Sequence, residues 1–118
     1  MNEELIVWLG PAYDELTEDQ LDRVAQESRA IDERHPDPDD HDVREASLSA
    51  AVQYLLGETD TMMAGNTLRT ARTQLRLAMA ASKQVAAMAA TDKTLSEVQA
   101  AQEAGIDRMT LLKVLGKR

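Results

Sequence analysis

The chain has 118 residues and a mass of 13.0 kDa, which suits one domain with a modest hydrophobic core. It has no cysteine, so disulfide bonds, thiolate nucleophiles and cysteine-ligated zinc are excluded, and a reducing compartment is favoured. The net charge of −8 conceals an uneven distribution, because residues 1–60 carry −13 and residues 61–118 carry +5. A protein that is acidic overall can therefore present a basic surface to a polyanion.

The distribution of hydrophobic residues limits the possible fold class and cellular compartment. The longest strongly apolar runs, such as Leu5–Leu9, are far shorter than the ~20 residues that span a bilayer, and no basic segment precedes Leu5–Leu9. We expect a soluble, unsecreted, cytoplasmic protein. Alanine and leucine dominate and aromatic residues are few, which predicts an all-α fold of about five helices. We expect one domain over 1–118, with an acidic helical part over 1–60, a long helix over 61–90 and a helical pair over 95–118.

The acidic part is predicted to contain two main helices. Thr17-Glu-Asp-Gln20 has the form of a capping box and predicts a helix over 17–34, which ends before the proline-rich segment after His35. A second helix is predicted over 42–56, beginning at Asp42 and stopping at Gly57. Its apolar stripe consists of Leu48, Ala51, Val52, Leu55 and Leu56. Residues 1–13 fit either a helical turn closed by Gly10-Pro11 or an extended arm.

Two features of the acidic part invite a functional interpretation. Trp8 lies beside leucine and isoleucine and is either an anchor of the core or part of an exposed protein interface. The segment 35–42 holds two histidines and four aspartates, but it lacks the spacing of an EF-hand or a zinc site, so we interpret it as a solvated connector. No phosphate-binding loop, nucleophile elbow or dinucleotide fingerprint is present. We therefore expect no enzyme activity, cofactor or metal.

The long helix over 61–90 has an apolar seam at alternating spacings of three and four residues. This seam consists of Leu68, Ala71, Leu75, Ala78, Ser82, Val85 and Ala89. Such a repeat brings one face of the helix against a partner helix along its whole length. The partner is either another helix of the same chain or the same helix in a second copy.

The C-terminal segment predicts two short helices joined by a sharp turn. Ser96 and Gln99 have the spacing of a capping box and predict a helix over 96–104. Gly105 suits the turn because it tolerates positive φ, Ile106 is placed to anchor the turn, and Asp107 is placed to cap the next helix. That helix, over 107–115, is predicted to pack through Leu111, Val114 and Leu115 and to leave Arg108, Met109, Leu112 and Lys113 on other faces. This is a helix-turn-helix pattern.

Residues 95–115 resemble the helix-turn-helix of bacterial and phage DNA-binding proteins, including the C-terminal module of serine recombinases and resolvases. The resemblance covers about a fifth of the chain and rests on Ala101, on Ala104-Gly105-Ile106 in the turn and on Arg108-Met-Thr-Leu111. Gly105–Leu111 is also similar to the ends of small regulators of actinomycete plasmids and phages. No recombinase catalytic domain is present, so recombination is not implied.

The resemblance implies that 107–115 is a recognition helix for double-stranded DNA. The residues expected at DNA are Arg108, Met109, Thr110, Leu112, Lys113, Lys117 and Arg118, with Asp107 nearby. Arg108 is the candidate base reader, because a guanidinium can donate two hydrogen bonds to guanine. Thr110 is expected to bind a phosphate or cap the helix, and Leu112 to touch a thymine methyl or join the core. The remaining basic residues are expected to contact phosphates, and Arg69, Arg72 and Arg76 to extend that surface.

The function expected from this sequence is sequence-specific DNA binding in transcriptional regulation or in the maintenance of a mobile element. One module makes few base contacts, so we expect a homodimer on a pseudo-palindromic site. The alternative is a non-enzymatic helical adaptor that binds or sequesters a protein partner through its acidic N-terminal half.

Overall fold

The computed structural model describes all 118 residues, and helices are its only regular elements. The all-α prediction is confirmed, whereas the number of α-helices is seven instead of about five. The helices are α1 (Glu3–Leu9), α2 (Ala12–Glu15), α3 (Glu18–Arg34), α4 (His41–Leu55), α5 (Thr61–Thr91), α6 (Glu97–Ala104) and α7 (Arg108–Val114), and a 3₁₀ helix spans Pro38–Asp40. None of them combines the length and the hydrophobicity needed to cross a bilayer.

The two additional helices lie in the N-terminal segment, where the sequence allowed a helical turn or an extended arm. The backbone N–H of Leu5 donates to Asn2 Oδ1 at 2.8 Å, so Asn2 caps α1. Leu5 and Leu9, one turn apart, are both buried. Gly10 ends α1 with a φ of +55°, and α2 follows directly. The helical alternative is therefore correct for this segment.

The predicted start of α3 is confirmed by its capping box. The N–H of Gln20 donates to Thr17 Oγ1 at 3.2 Å, and Gln20 Oε1 accepts from the N–H of Thr17 at 2.8 Å. The amide group of Gln20 also donates to the Leu55 carbonyl at 2.9 Å, which ties the start of α3 to the end of α4. The cap thus fixes both the helix boundary and a tertiary contact.

Helix α4 begins one residue before the predicted 42–56 helix and also ends one residue before it. Asp40 is the N-cap residue, because the 3₁₀ helix leads directly into α4. Asp42, the predicted start, instead accepts from the N–H of Val43 at 2.8 Å. The stop at Gly57 is confirmed, since this residue has a φ of +76°. Helices α1 to α4 enclose a small core formed by Leu5, Leu9, Leu16, Val24 and Val52.

The contacts within the chain form two compact units, Met1–Ala64 and Gly65–Arg118. The sequence predicts one domain over 1–118, but the change of charge near residue 60 almost coincides with the boundary between these units. The first unit carries the net charge of −13 and the second carries +5, because residues 61–64 are uncharged. Each unit has its own apolar cluster.

Helix α5 has the predicted length, but most of its seam is not covered by the chain. Every residue from 66 to 81 is exposed. Leu68 is 49% exposed, Leu75 61% and Val85 66%, so an intramolecular core along the seam is wrong for these residues. The physical reason is that only the last turns of α5, around Ala86, enter an apolar cluster with α6 and α7.

Candidate nucleic-acid interface

The turn between α6 and α7 depends on Gly105. Helix α6 begins after Ser96, whose Oγ accepts from the N–H of Gln99 at 3.1 Å, as predicted. Gly105 has a φ of +72° in the left-handed region, and the N–H of Ile106 donates back to the Ala101 carbonyl at 3.0 Å. This is the hydrogen bond that closes a helix through a left-handed residue. The chain can therefore reverse sharply and begin α7 three residues later, at Arg108.

Leu111 is the centre of the cluster that holds α6 and α7 on the end of α5. It is fully buried and packs with Ala86, Ala100 and Ala101, which are also buried. Three alanines at these positions allow the helices to approach closely around one large side chain. The inward position predicted for Leu111 is therefore confirmed, and Ala101 is buried beside it.

The other residues of the predicted packing face differ in how far they are buried. Ile106 and Leu115 are half-buried against the same cluster, as expected. Val114 was predicted to pack inward, and this is wrong, because its side chain is 43% exposed. It lies at the rim of a shallow depression beside Ala87 and Met88 of α5. Leu111 and Leu115, one turn apart, take the inward face instead.

Asp107 caps α7, as predicted. The N–H of Thr110 donates to Asp107 Oδ1 at 2.7 Å. This backbone hydrogen bond, then a hydrogen bond from the Thr110 hydroxyl and the nearby charge of Lys113, lowers the pKa of Asp107 from its ordinary value. Asp107 is therefore ionised at neutral pH, and its carboxylate is engaged by the first turn of α7.

The residues expected at DNA occupy different parts of α7 and the chain end. Met109 and Lys113 are exposed, lie one turn apart and point away from Leu111, so they form the outward side of the helix. Arg108 is exposed at the first position of α7, on the same side as the half-buried Leu112. Thr110 is half-buried and Arg118 is exposed.

We call residues 96–118, which comprise α6, the turn, α7 and the chain end, the module. Two side-chain contacts of this module were not predicted from the sequence. Lys117 Nζ lies 3.0 Å from Glu97 Oε2, so this lysine forms an ion pair with the first turn of α6. The hydroxyl of Ser82 donates to the Ala104 carbonyl and ties α5 to the last residue of α6. A serine within an otherwise apolar seam was the only sequence signal for the second contact, and nothing in the spacing indicated the first.

A basic stripe runs along α5 on the side that carries the module. Arg69, Arg72, Arg76 and Lys83 lie within a sector of about 60° at 3.6 residues per turn. Ala87 and Ala90, which pack against the α6 and α7 cluster, fall in or beside the same sector. No acidic residue occurs in α5, and the three arginines are exposed. The stripe therefore continues the positive charge of the module towards the start of α5.

The acidic unit holds a separate pocket at Trp8. Its volume is about 280 Å³, and its walls include Ile31, Leu48 and Arg44. Trp8 is 36% exposed, and its indole N–H donates to Glu45 Oε1 at 3.4 Å. The interpretation of Trp8 as the core anchor is wrong, because the buried Leu5 and Leu9 fill that position. The chain contains no group of three or more His, Asp or Glu side chains placed to hold a metal ion.

Comparison with known proteins gives no relative: no family model, no curated protein and no solved structure matches the chain.

Proposed function

We propose that the protein is a sequence-specific DNA-binding protein that acts in transcriptional regulation or in the maintenance of a mobile element. The observation that carries the proposal is the pair α6 and α7, joined through left-handed Gly105 and fixed on α5 by the buried Leu111. This arrangement packs α7 against α5 and α6 and leaves Met109 and Lys113 on its outward side. A helix presented in this way fits the major groove, which is wide enough to admit it.

The charge distribution supports the same proposal. The unit that contains α6 and α7 carries +5, whereas the unit before it carries −13. Positive charge near the phosphates supplies most of the non-specific affinity of DNA-binding proteins. The acidic unit is repelled by DNA, so we expect the basic stripe and α7 to form the bound surface and the acidic unit to remain away from it.

Each of the five exposed candidate residues has a proposed role. Arg108 reads a guanine through its two parallel N–H donors, and Lys113 contacts a phosphate from the outward side of α7. Met109 makes apolar contact in the groove, and Arg118 contacts a phosphate. Lys117 must leave Glu97, its partner at 3.0 Å, before it binds a phosphate, so we expect a smaller contribution from it.

Selection from random duplexes tests the proposal directly. Binding is measured by fluorescence anisotropy on a random-sequence library at low and physiological salt, and the bound pool is then sequenced. We expect enrichment of a two-fold symmetric site, because the protein is proposed to bind as a homodimer. Absence of binding at low salt contradicts the proposal.

A pair of charge reversals locates the binding surface. Lys113→Glu places a carboxylate on the outward side of α7 and is expected to abolish binding. Lys93→Glu makes the same change of charge in the segment between α5 and α6 and is the matched control. We expect Lys93→Glu to weaken binding only slightly, through the electrostatic potential of the whole protein. Equal losses in the two variants would remove α7 from the proposed interface.

The second candidate function is a protein adaptor, and it is favoured by the surface around Trp8. The half-exposed Trp8 lines an open pocket, and the neighbouring Val7 is strongly exposed on the same acidic unit. Tryptophan is enriched at the centres of protein interfaces. A pull-down that recovers one stoichiometric partner, loses it with Trp8→Ala and shows no DNA binding supports the adaptor over the DNA-binding protein.

A further inference from the structure

Helix α5 presents a long apolar seam that the chain leaves uncovered. Its larger members are Leu68, Leu75 and Val85, and every residue from 66 to 81 is exposed. This stretch also contains an asparagine and three threonines, which favour helix only weakly. Helices of this kind are marginal in water unless one face is packed. This exposed face is therefore available to a partner helix.

We infer that the partner is α5 of a second copy, packed antiparallel in one particular register. Ala64, four residues before Leu68, extends the seam by one turn. In this register the extended seam pairs Ala64 with Ala89, Leu68 with Val85, Ala71 with Ser82 and Leu75 with Ala78. Each leucine then meets a smaller side chain, so no two leucines face each other. A parallel pair would place Leu68 against Leu68 and Leu75 against Leu75, which would make the spacing between the helices more uneven.

The repeat itself supports a two-stranded arrangement. The seam keeps a strict seven-residue period from Ala64 to Ala89, and this period makes two helices coil around each other. The contact spans 26 residues, or about 39 Å at 1.5 Å per residue. With a width of about 12 Å, two copies bury on the order of 1,000 Å², near the lower limit for a specific interface. A dimer of moderate stability is expected from this area.

A groove between α5 and α6 lies at the C-terminal end of the seam. Between α5 and α6 lies a largely apolar cavity of about 470 Å³, lined by Val85, Ala89, Leu95 and Ala100. In the inferred register the partner's Leu68 meets Val85 and enters this groove. The groove continues the exposed seam to its C-terminal end, so one partner helix covers both.

Charge is compatible with the same register. Glu103 lines the groove next to Ala81 and Ser82, and the partner's Arg72 lies at this level. The other basic residues of α5 point about 125° away from the seam at 3.6 residues per turn, so the two stripes do not face each other. Burial of the seam therefore brings no two like charges into contact.

The register also sets the distance between the two modules, a consequence that rests on the proposed function. Ala86 of one copy lies opposite Thr67 of the other, so the two Ala86 residues are about 30 Å apart for a rise of 1.5 Å per residue. The two Ala90 residues are about 40 Å apart by the same geometry. These values bracket the ~34 Å between half-sites one DNA turn apart. The two-fold axis is perpendicular to the helix pair, so both modules and both basic stripes lie on one side of the dimer.

Sedimentation equilibrium of the full chain without DNA tests the interface. Leu75→Glu puts a charge at the centre of the seam and is expected to raise the dimer dissociation constant at least about 100-fold. Leu77→Glu is the matched control, because Leu77 is equally exposed but lies on another side of α5. We expect it to leave the dimer intact. A monomeric unmodified chain, or equal weakening by the two variants, overturns the inference and indicates a different occupant of the seam.

Single cysteines determine the orientation, since the chain contains none of its own. An oxidised mixture of Leu68→Cys and Val85→Cys chains is expected to give the mixed disulfide, and Leu68→Cys alone to give none. Disulfide formation by Leu68→Cys alone indicates a parallel pair and overturns the register. DNA binding by the cross-linked dimer is measured separately. A dimer that forms the mixed disulfide but binds no duplex supports the interface and contradicts the proposed function.

Discussion

Arg108 and Lys113 are the two cations of α7, and they lie on different sides of it. Lys113 is on the outward side with Met109, whereas Arg108 is at the first position, one turn before Leu112. A residue at the start of a recognition helix is placed near base edges. In the proposed complex Arg108 reads a base and Lys113 contacts a phosphate, so we expect the two side chains to make separable contributions to binding.

We expect Arg108→Ala to cost about 1–3 kcal/mol of binding free energy and to relax the preference at one base pair. Lys113→Ala is expected to weaken binding to all sequences and to lower the salt slope by about one. Titrations of the selected site and its single-base variants at several salt concentrations measure both effects. The assignment of roles fails if Lys113→Ala relaxes one base pair and Arg108→Ala changes only the salt slope.

Asp107 gives the cap of α7 a dependence on pH. Its pKa is lowered in the fold, chiefly by the hydrogen bond from the N–H of Thr110. The native state therefore favours the carboxylate, and the stabilisation is complete above the unfolded pKa of about 3.9. It is lost as the pH falls through the lower native pKa.

Asp107→Asn tests this dependence, because asparagine also caps helices but does not titrate. We expect the unmodified protein to have the higher thermal midpoint at neutral pH and the difference to narrow below about pH 4. Thermal unfolding of both proteins across this range is the measurement. A difference that stays constant down to about pH 2 means that ionisation of Asp107 does not stabilise the helix.

At the scale of elements, the turn at Gly105 depends on backbone conformation alone. A Cβ added at Gly105 meets no atom within 4 Å, so the only obstacle to a side chain is the φ of +72°. Gly105→Ala is expected to lower the free energy of unfolding by about 1 kcal/mol, because alanine pays for the left-handed conformation. Gly105→Asn is the control and is expected to cost less, since asparagine visits this region more readily. Equal stabilities of the two variants in urea denaturation would show that the turn can relax.

Helix boundaries set by local hydrogen bonds were predictable from the sequence. The caps at Thr17, Ser96 and Asp107 lie at the predicted positions, because each needs only a side chain within three residues of its partner. The start of α4 was misplaced because the 3₁₀ helix before it had no clear signal. Local chemistry therefore determines most helix ends, including both helices of the candidate site.

Burial was less predictable because it depends on distant parts of the chain. The seam of α5 has the period of a packed helix, but periodicity does not say whether the partner belongs to the same chain. The same limit applies to Trp8, whose expected place in the core is filled by Leu5 and Leu9. At the site, the ion pair between Lys117 and Glu97 joins residues 20 positions apart and left no signal in the spacing.

For the whole molecule, the separation of charge into two units has a functional consequence. Each unit has its own apolar cluster, so the acidic residues of the first are not needed for the packing of α6 and α7. Their charge instead opposes contact with any polyanion, so the proposed DNA binding is expected only where the local electrostatic potential is positive. The net charge of −8 is thus compatible with steep salt dependence of DNA binding.

The basic stripe on α5 provides a test of how charge is used in the whole molecule. Arg69 and Arg76 lie seven residues apart on one side of the helix and away from the seam. If both contact phosphates, the double variant Arg69→Ala/Arg76→Ala is expected to reduce the slope of log K against log salt by about two per chain. Its dimerisation, measured by sedimentation, is expected to remain unchanged.

Arg29→Ala/Arg34→Ala removes the same charge from the acidic unit and is the matched control. Both of these arginines are exposed on α3, in the unit that is expected to remain away from DNA. The slope of this variant should equal that of the unmodified protein, because slope reports counterions released at the contacted phosphates and not net charge. If both double variants lower the slope equally, the stripe has no direct contact with DNA, and α7 with the chain end alone accounts for the electrostatic binding.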